Sequence, residues 1–190
     1  MRIISGVHKS KRLMAPKKLP VRPTTDMAKE ALFNILNNLY YIDSVSVIDL
    51  FSGTGNISFE FGSRGCTNIV AVDAHFGCVK FIKSTATDLE LPIDVIKSDV
   101  YKFLGRTKLT ADIIFADPPY DFTQEQFENI VNLIVEKQLV KEDGLLIIEH
   151  SKQTKLENHP HFSYSKKYGG NIFSFFELNH TDSEEEKEEE

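Results

Sequence analysis

The sequence predicts an α/β fold: a doubly wound, mostly parallel sheet of seven strands closed by a C-terminal antiparallel hairpin. Three observations predict it. Five short, apolar, β-branched runs recur from residue 45 onward, segments of helical length separate them, and the last two β-rich runs are divided only by Tyr168-Gly169-Gly170-Asn171. Near-continuous apolar strands belong to sheets covered on both faces. Strand–helix alternation with short links builds right-handed βαβ units.

The five runs are VSVIDL (45–50), NIVAVD (68–73), PIDVIK (92–97), ADIIFAD (111–117) and GLLIIEH (144–150), each expected to be buried on both faces. Helices are expected over 56–63, 75–87, 99–106 and 123–138; in the last, Phe127, Ile130, Val131, Ile134 and Val135 recur at helical spacing. HFSYSKKYGGNIFSFFEL (161–178) contains no helical stretch and reads as a hairpin. Ahead of the first strand, TTDMAKEALFNILNNL reads as a helix capped by Thr25 or Asp26, with Ala28, Leu32, Ile35, Leu36 and Leu39 on its inner face. Residues 1–15 are expected to form a small basic hairpin or an ordered arm.

Composition narrows the class. The 190 residues are 41% hydrophobic, enough for the core of one α/β domain. No apolar run approaches the roughly 18 residues of a membrane span, and the basic N-terminus lacks the apolar stretch of a signal peptide. Cys66 and Cys78 have no metal-type spacing, and two free thiols suit the cytoplasm. His8, His150, His159 and His161 show no metal spacing either, so no metal is expected. The net charge of −6 resides entirely in the closing DSEEEKEEE, which has nothing to bury and reads as a disordered tail over 181–190. Residues 1–22, by contrast, hold seven basic residues and no acid. A layout follows: a basic arm over 1–24, a catalytic domain over 25–180, and the tail. Arg2, Lys9, Lys11, Arg12 and Arg22 are the candidate nucleic-acid contacts, where cations would displace the counterions of phosphates.

The cofactor signature begins at VIDLFSGTGNISF (47–59), where an acid and a G-x-G stand at the carboxyl end of the first core strand. Glycines there permit a tight turn and close ligand approach. The third glycine of a dinucleotide fingerprint is replaced by Ser58, which argues against pyrophosphate. Asp49, before the turn, suits a cationic amino group. Asp73, about twenty residues on, can accept from both ribose hydroxyls. Asp99, at the third strand-to-helix turn, can accept from an adenine amine. Phe51, Gly53, Gly55, Ala74 and Val100 adjoin these acids. Each acid alone could be a helix cap; three in register favour a nucleoside that carries an amino acid and no phosphate, which is S-adenosylmethionine (SAM).

The fourth strand ends in Asp117-Pro118-Pro119-Tyr120. An exocyclic amine on a nucleobase is a poor nucleophile because its lone pair is delocalised into the ring. The Asp117 carboxylate and the Pro118 carbonyl can hold its two N–H bonds while the nitrogen pyramidalises. Pro118 and Pro119 fix the backbone and remove competing donors, and Tyr120 offers a stacking wall.

The segments RPTTDMAKEALFNIL, VIDLFSGTGNISFEFGSRG, ADPPYD and YGGNIFSFFEL resemble the RsmD-type family, the bacterial 16S ribosomal RNA (guanine(966)-N(2))-methyltransferases, from about Arg2 to Leu178. The resemblance implies a class I SAM-dependent methyltransferase fold, SAM as co-substrate, and a guanine of 16S rRNA as acceptor within a small-subunit assembly intermediate. Met27 stands where the family usually has arginine, and Asp73 where it more often has glutamate. A monomer is expected. Arg22, Thr24 and Thr25 either touch RNA or line the methionyl end of SAM. Two rival functions share part of the pattern: a DNA adenine-N6 methyltransferase, and a non-catalytic SAM-binding assembly factor. The first would need a larger region for reading duplex DNA, and the second has no use for the D-P-P-Y tetrad.

Overall fold

The structure, a computed structural model, describes residues 1–19 and 24–178. Arg22 and the acidic tail therefore lie outside the described residues. The first five strands pair with one another only in parallel, and the last strand pairs only antiparallel. The strands are β1 (Ser46–Leu50), β2 (Asn68–Asp73), β3 (Ile93–Lys97), β4 (Ala111–Ala116), β5 (Val140–His150), β6 (Phe162–Tyr168) and β7 (Asn171–Glu177). Their spatial order is β3-β2-β1-β4-β5-β7-β6, with β7 antiparallel to both β5 and β6. Order reverses between β1 and β4, and in such sheets the ligand crevice opens at the carboxyl ends beside that switch.

The helices are α1 (Asp26–Leu39), α2 (Asn56–Ser63), α3 (Phe76–Asp88), α4 (Val100–Arg106) and α5 (Gln124–Glu136). Alternation along the strands divides the core. Val47, Ile113, Phe115, Ile147, Phe173 and Phe175 pack with residues of α1 and α2, while Ile48, Leu50, Ile114, Ala116 and Ile148 pack with α4 and α5. Ala71 of β2 meets Ile82 and Ala86 of α3. The expected burial on both faces holds for β1 and largely for β2 and β4, but β3 is a half-exposed strand at the sheet's edge, with Asp94 and Lys97 in solvent. Its place at the edge leaves one side of the strand uncovered, which the apolar residues of a short run do not reveal.

Thr25 caps α1 by accepting from the Ala28 N–H. Ala28, Leu32 and Leu36 face inward as expected, whereas Leu39 is 54% exposed and Phe33 takes the remaining inner position beside Lys29. Lys29 is buried because its ammonium is fully engaged. It donates to Arg2 O (2.7 Å) and Asn56 Oδ1 (2.8 Å) and pairs with Glu60 of α2 at 3.2 Å. A buried charge persists only with such partners.

The basic arm folds back on the body. Ile3 N–H donates to Lys11 O and Ser10 N–H to Ile3 O, closing a hairpin around the Arg2–Arg12 bridge. Ile3 and Leu13 enter the core against Phe59, Ala71 and Ile82. Glu60 accepts from the Ile4 and Ser5 N–H groups at 2.8 and 3.0 Å. Gly6 lies flat on α2, where a Cβ would stand 1.7 Å from Ser63 O.

Candidate active site

A cavity of about 650 Å³ opens at the carboxyl ends of β1, β2 and β4. It has the size of a small-molecule site. Asp49, Phe51, Gly53, Asp73, Ala74, Asp99 and Val100 line it from the first three strand–helix junctions, and Asp117, Pro118, Pro119 and Tyr120 from the fourth. Gly55 does not. Its φ of +75° makes it the left-handed N-cap of α2, and a Cβ there would meet Phe59 and Ile82, so its smallness serves the core rather than a ligand.

The turn is built by its own polar groups. Phe51 and Gly53 also have positive φ, +56° and +54°. A phenylalanine held there is strained, and such strain collects at functional sites. Asp73 Oδ2 accepts from Gly53 N–H at 2.8 Å and Oδ1 from His75 N–H at 2.7 Å, leaving acceptor capacity on each oxygen. Asp49 Oδ2 accepts from the N–H and hydroxyl of Ser58 at 3.1 and 2.5 Å. The position where a dinucleotide fold has glycine thus anchors the acid. Asp99 caps α4 through the Lys102 N–H, so capping and lining coexist in one residue.

Thr24, one of the two described residues expected to touch either RNA or SAM, lines the cavity, while sequence reasoning missed other lining residues, among them Asn56, His75, Phe115 and Phe122. Thr24 and Asn56 are linked, since Asn56 Nδ2 donates to Thr24 O at 2.9 Å. Phe122 packs edge-on to Phe51 and stacks on Tyr101, making an aromatic wall. The buried Glu149 at the end of β5 was missed too, although an acid closing an apolar strand is the signal that found Asp49 and Asp73. Thr25 does not line the cavity and caps α1.

The arm's candidates stand apart from the cavity. Lys9, Lys11 and Arg12 are exposed, and Arg2 pairs with Asp26 at 3.1 Å.

Two of the acids that line the cavity, Asp49 and Asp117, are held well above the ordinary carboxylate range. Burial raises Asp49 to about 7, against the bonds from Ser58 and with help from the Asp73 charge. Burial also raises Asp117 well above the ordinary range, with the Glu149 and Asp49 charges adding to it. No Lys or Arg among the described residues forms an ion pair with any of them. Buried carboxylates without a counter-ion, an apolar aromatic wall and a glycine turn fit a ligand that is part nucleoside and part cation. Among the described residues, no group of three or more His, Cys, Asp or Glu is placed to hold a metal ion.

Comparison with known proteins agrees with this geometry. The family described as Conserved hypothetical protein 95 matches residues 1–177. YlbH of Bacillus subtilis strain 168, named provisionally as an rRNA methyltransferase, is 34% identical over 161 residues, covering 82% of this chain and 85% of that protein. Ribosomal RNA small subunit methyltransferase D of Escherichia coli K12 is 28% identical over 161 residues, covering 84% and 79%. The chain belongs to the RsmD-type family. Among solved structures, a Thermus thermophilus protein described only as hypothetical superposes with a TM-score of 0.81 at 25% identity, over 94% of this chain and 99% of that one. The T. thermophilus 16S rRNA N2 G1207 methyltransferase RsmC, solved with AdoMet and guanosine, matches at TM-score 0.68 and 18% identity, over 85% of this chain and 45% of that one. The fold is the class I SAM-dependent methyltransferase fold.

Proposed function

We propose that this RsmD-type protein methylates the exocyclic N2 amine of a guanine in 16S rRNA, with SAM as methyl donor. The observation that carries the reading is the tetrad Asp117-Pro118-Pro119-Tyr120, which lines the same cavity as the acids of the first three strand ends. The family resemblance supports guanine 966 as the target and a small-subunit assembly intermediate as the substrate; the two free thiols suit the cytoplasm, and the proposed working form is a monomer. No helix among the described residues is long and apolar enough to cross a membrane.

Asp49 and the Gly53 turn would hold the methionyl end of SAM, Asp73 the ribose hydroxyls, and Asp99 the adenine amine, with Phe51, Ala74 and Val100 as apolar walls. Bound there, SAM supplies an electrophilic methyl group on a sulfonium. The protein's own contribution is to place the acceptor. The Asp117 carboxylate and Pro118 carbonyl accept the two amine hydrogens, drawing the nitrogen out of conjugation and turning its lone pair toward the donor. Tyr120, 56% exposed at the cavity mouth, stacks the base. The exposed Lys9, Lys11 and Arg12 would meet phosphates of the same RNA.

Removing the acceptor tests the assignment. Asp117→Ala is expected to leave SAM affinity, measured by calorimetry, within about threefold while methyl transfer falls by roughly 10² or more. A variant that transfers at the wild-type rate would remove the mechanism.

A further inference from the structure

Glu149 is a buried acid with no role in the mechanism above. It follows Ile148 on β5 as Asp117 follows Ala116 on β4, and Ala116 and Ile148 are paired in register. Parallel neighbours project to the same face, and paired strands lie about 4.8 Å apart, so the register carries Asp117 and Glu149 onto one face as neighbours, and the Glu149 charge acts on Asp117. Glu149 is 2% exposed and held from behind: Oε2 accepts from Thr24 Oγ1 at 2.6 Å and Oε1 from Asn171 Nδ2 at 2.5 Å. Both donors are neutral, so they fix the carboxylate without giving it a counter-charge.

Among the described residues, no Lys or Arg forms an ion pair with either carboxylate. Asp49 faces the pair from β1, and Asp73, His75 and Asp99 line the cavity beyond it. Lys29 of α1 is engaged by Glu60. His150, next along β5, bonds Ser174 and packs on Phe127, on the other side of the sheet.

We propose that Glu149 is a positioning residue acting through Asp117: the two carboxylates hold one proton between them, and they release it to solvent when a cationic ligand enters the cavity. The inference rests on reading the cavity as a SAM site. Two like charges in a poorly solvated site cannot both ionise readily, so their protons belong to the pair. Burial raises Glu149 to about 7 against its two hydrogen bonds, and the Glu149 charge in turn raises Asp117. The consequence is chemical. A protonated Asp117 is a donor and would oppose an amine N–H, whereas the ionised form is acceptor only and unusually basic. Exchange of the shared proton for a ligand's positive charge therefore makes the site competent only once the methyl donor is in place. No covalent bond changes in this step beyond the proton's own transfer; one proton passes from the pair to buffer.

The test is calorimetry of SAM binding without RNA near neutral pH, in buffers of different ionisation enthalpy, with the pH profile of kcat/KM measured alongside. The wild type is expected to release a substantial fraction of one proton on binding. Glu149→Gln, which keeps the shape and can still accept from Thr24, should release less, and its acid limb should move down by about one pH unit or more. Asn171→Ala leaves the acid but removes a bond to its ionised form, so Glu149 keeps the proton and the limb should move the same way by less. A merely structural role would lower melting temperature and rate while leaving proton count and limb in place, and that result overturns the proposal. Absence of SAM binding overturns both this inference and the reading of the cavity. Binding with proton release but no methylation of RNA would overturn only the proposed acceptor.

Discussion

Asp49 shows how one residue joins fold to site. It closes β1, receives two bonds from Ser58 at the start of α2, and stays buried beside a cavity. Its carboxyl is raised from 3.8 to about 7 by that burial. Between those values the folded protein binds a proton that the unfolded chain has already lost, so this group's contribution to stability falls as pH rises through the window. The slope is at most about 1.4 kcal/mol per pH unit. Asp49→Asn should therefore lose less stability than the wild type between about pH 4 and pH 7 in chemical denaturation; equal slopes would place the charge elsewhere. That the acid shares one cavity with the Gly53 turn was legible from their spacing. Its bond to Ser58 was not, because the sequence marks Ser58 only as a glycine that is missing.

At the scale of elements, periodicity located nearly every strand and helix. It could not show what the arm does or why Lys29 is inside. Lys29 and Glu60 belong to different helices, and their pairing exists only after α1, α2 and the arm have assembled around them. The inner face expected for α1 therefore included Leu39, an exposed residue, and omitted a lysine. Burial of an ion pair makes its halves interdependent. Glu60→Ala would strand the Lys29 charge and remove the acceptor of the Ile4 and Ser5 amides, for a loss of about 3–5 kcal/mol. Hydrogen exchange at Ile4 and Ser5 should rise with it. A variant of normal stability and protection would mean that the arm is held by its apolar contacts, Ile3 and Leu13, alone.

Across the whole molecule, the switch between β1 and β4 brings residues 49, 73, 99 and 117 around one cavity. This convergence was readable because every acid sits at the same end of a strand, and parallel strands keep their carboxyl ends together. Glu149 escaped that logic although it obeys it, since β5 lies one strand past the junctions that line the cavity and nothing local marks its place beside Asp117. The arm adds a second surface. Its apolar residues dock on α2 and α3 while Lys9, Lys11 and Arg12 stay in solvent, so a cationic face is carried on the body that holds the cavity. A small α/β body with that face suits an RNA presented by a ribosomal particle better than a duplex that must be read and opened. The most direct measurement is transfer of labelled methyl from SAM to naked 16S RNA, to small subunits lacking the modification, and to duplex DNA, followed by identification of the labelled nucleoside. N2-methylguanosine from RNA or subunits is the expected product; N6-methyladenine in DNA, or no label in either RNA substrate, would contradict the assignment.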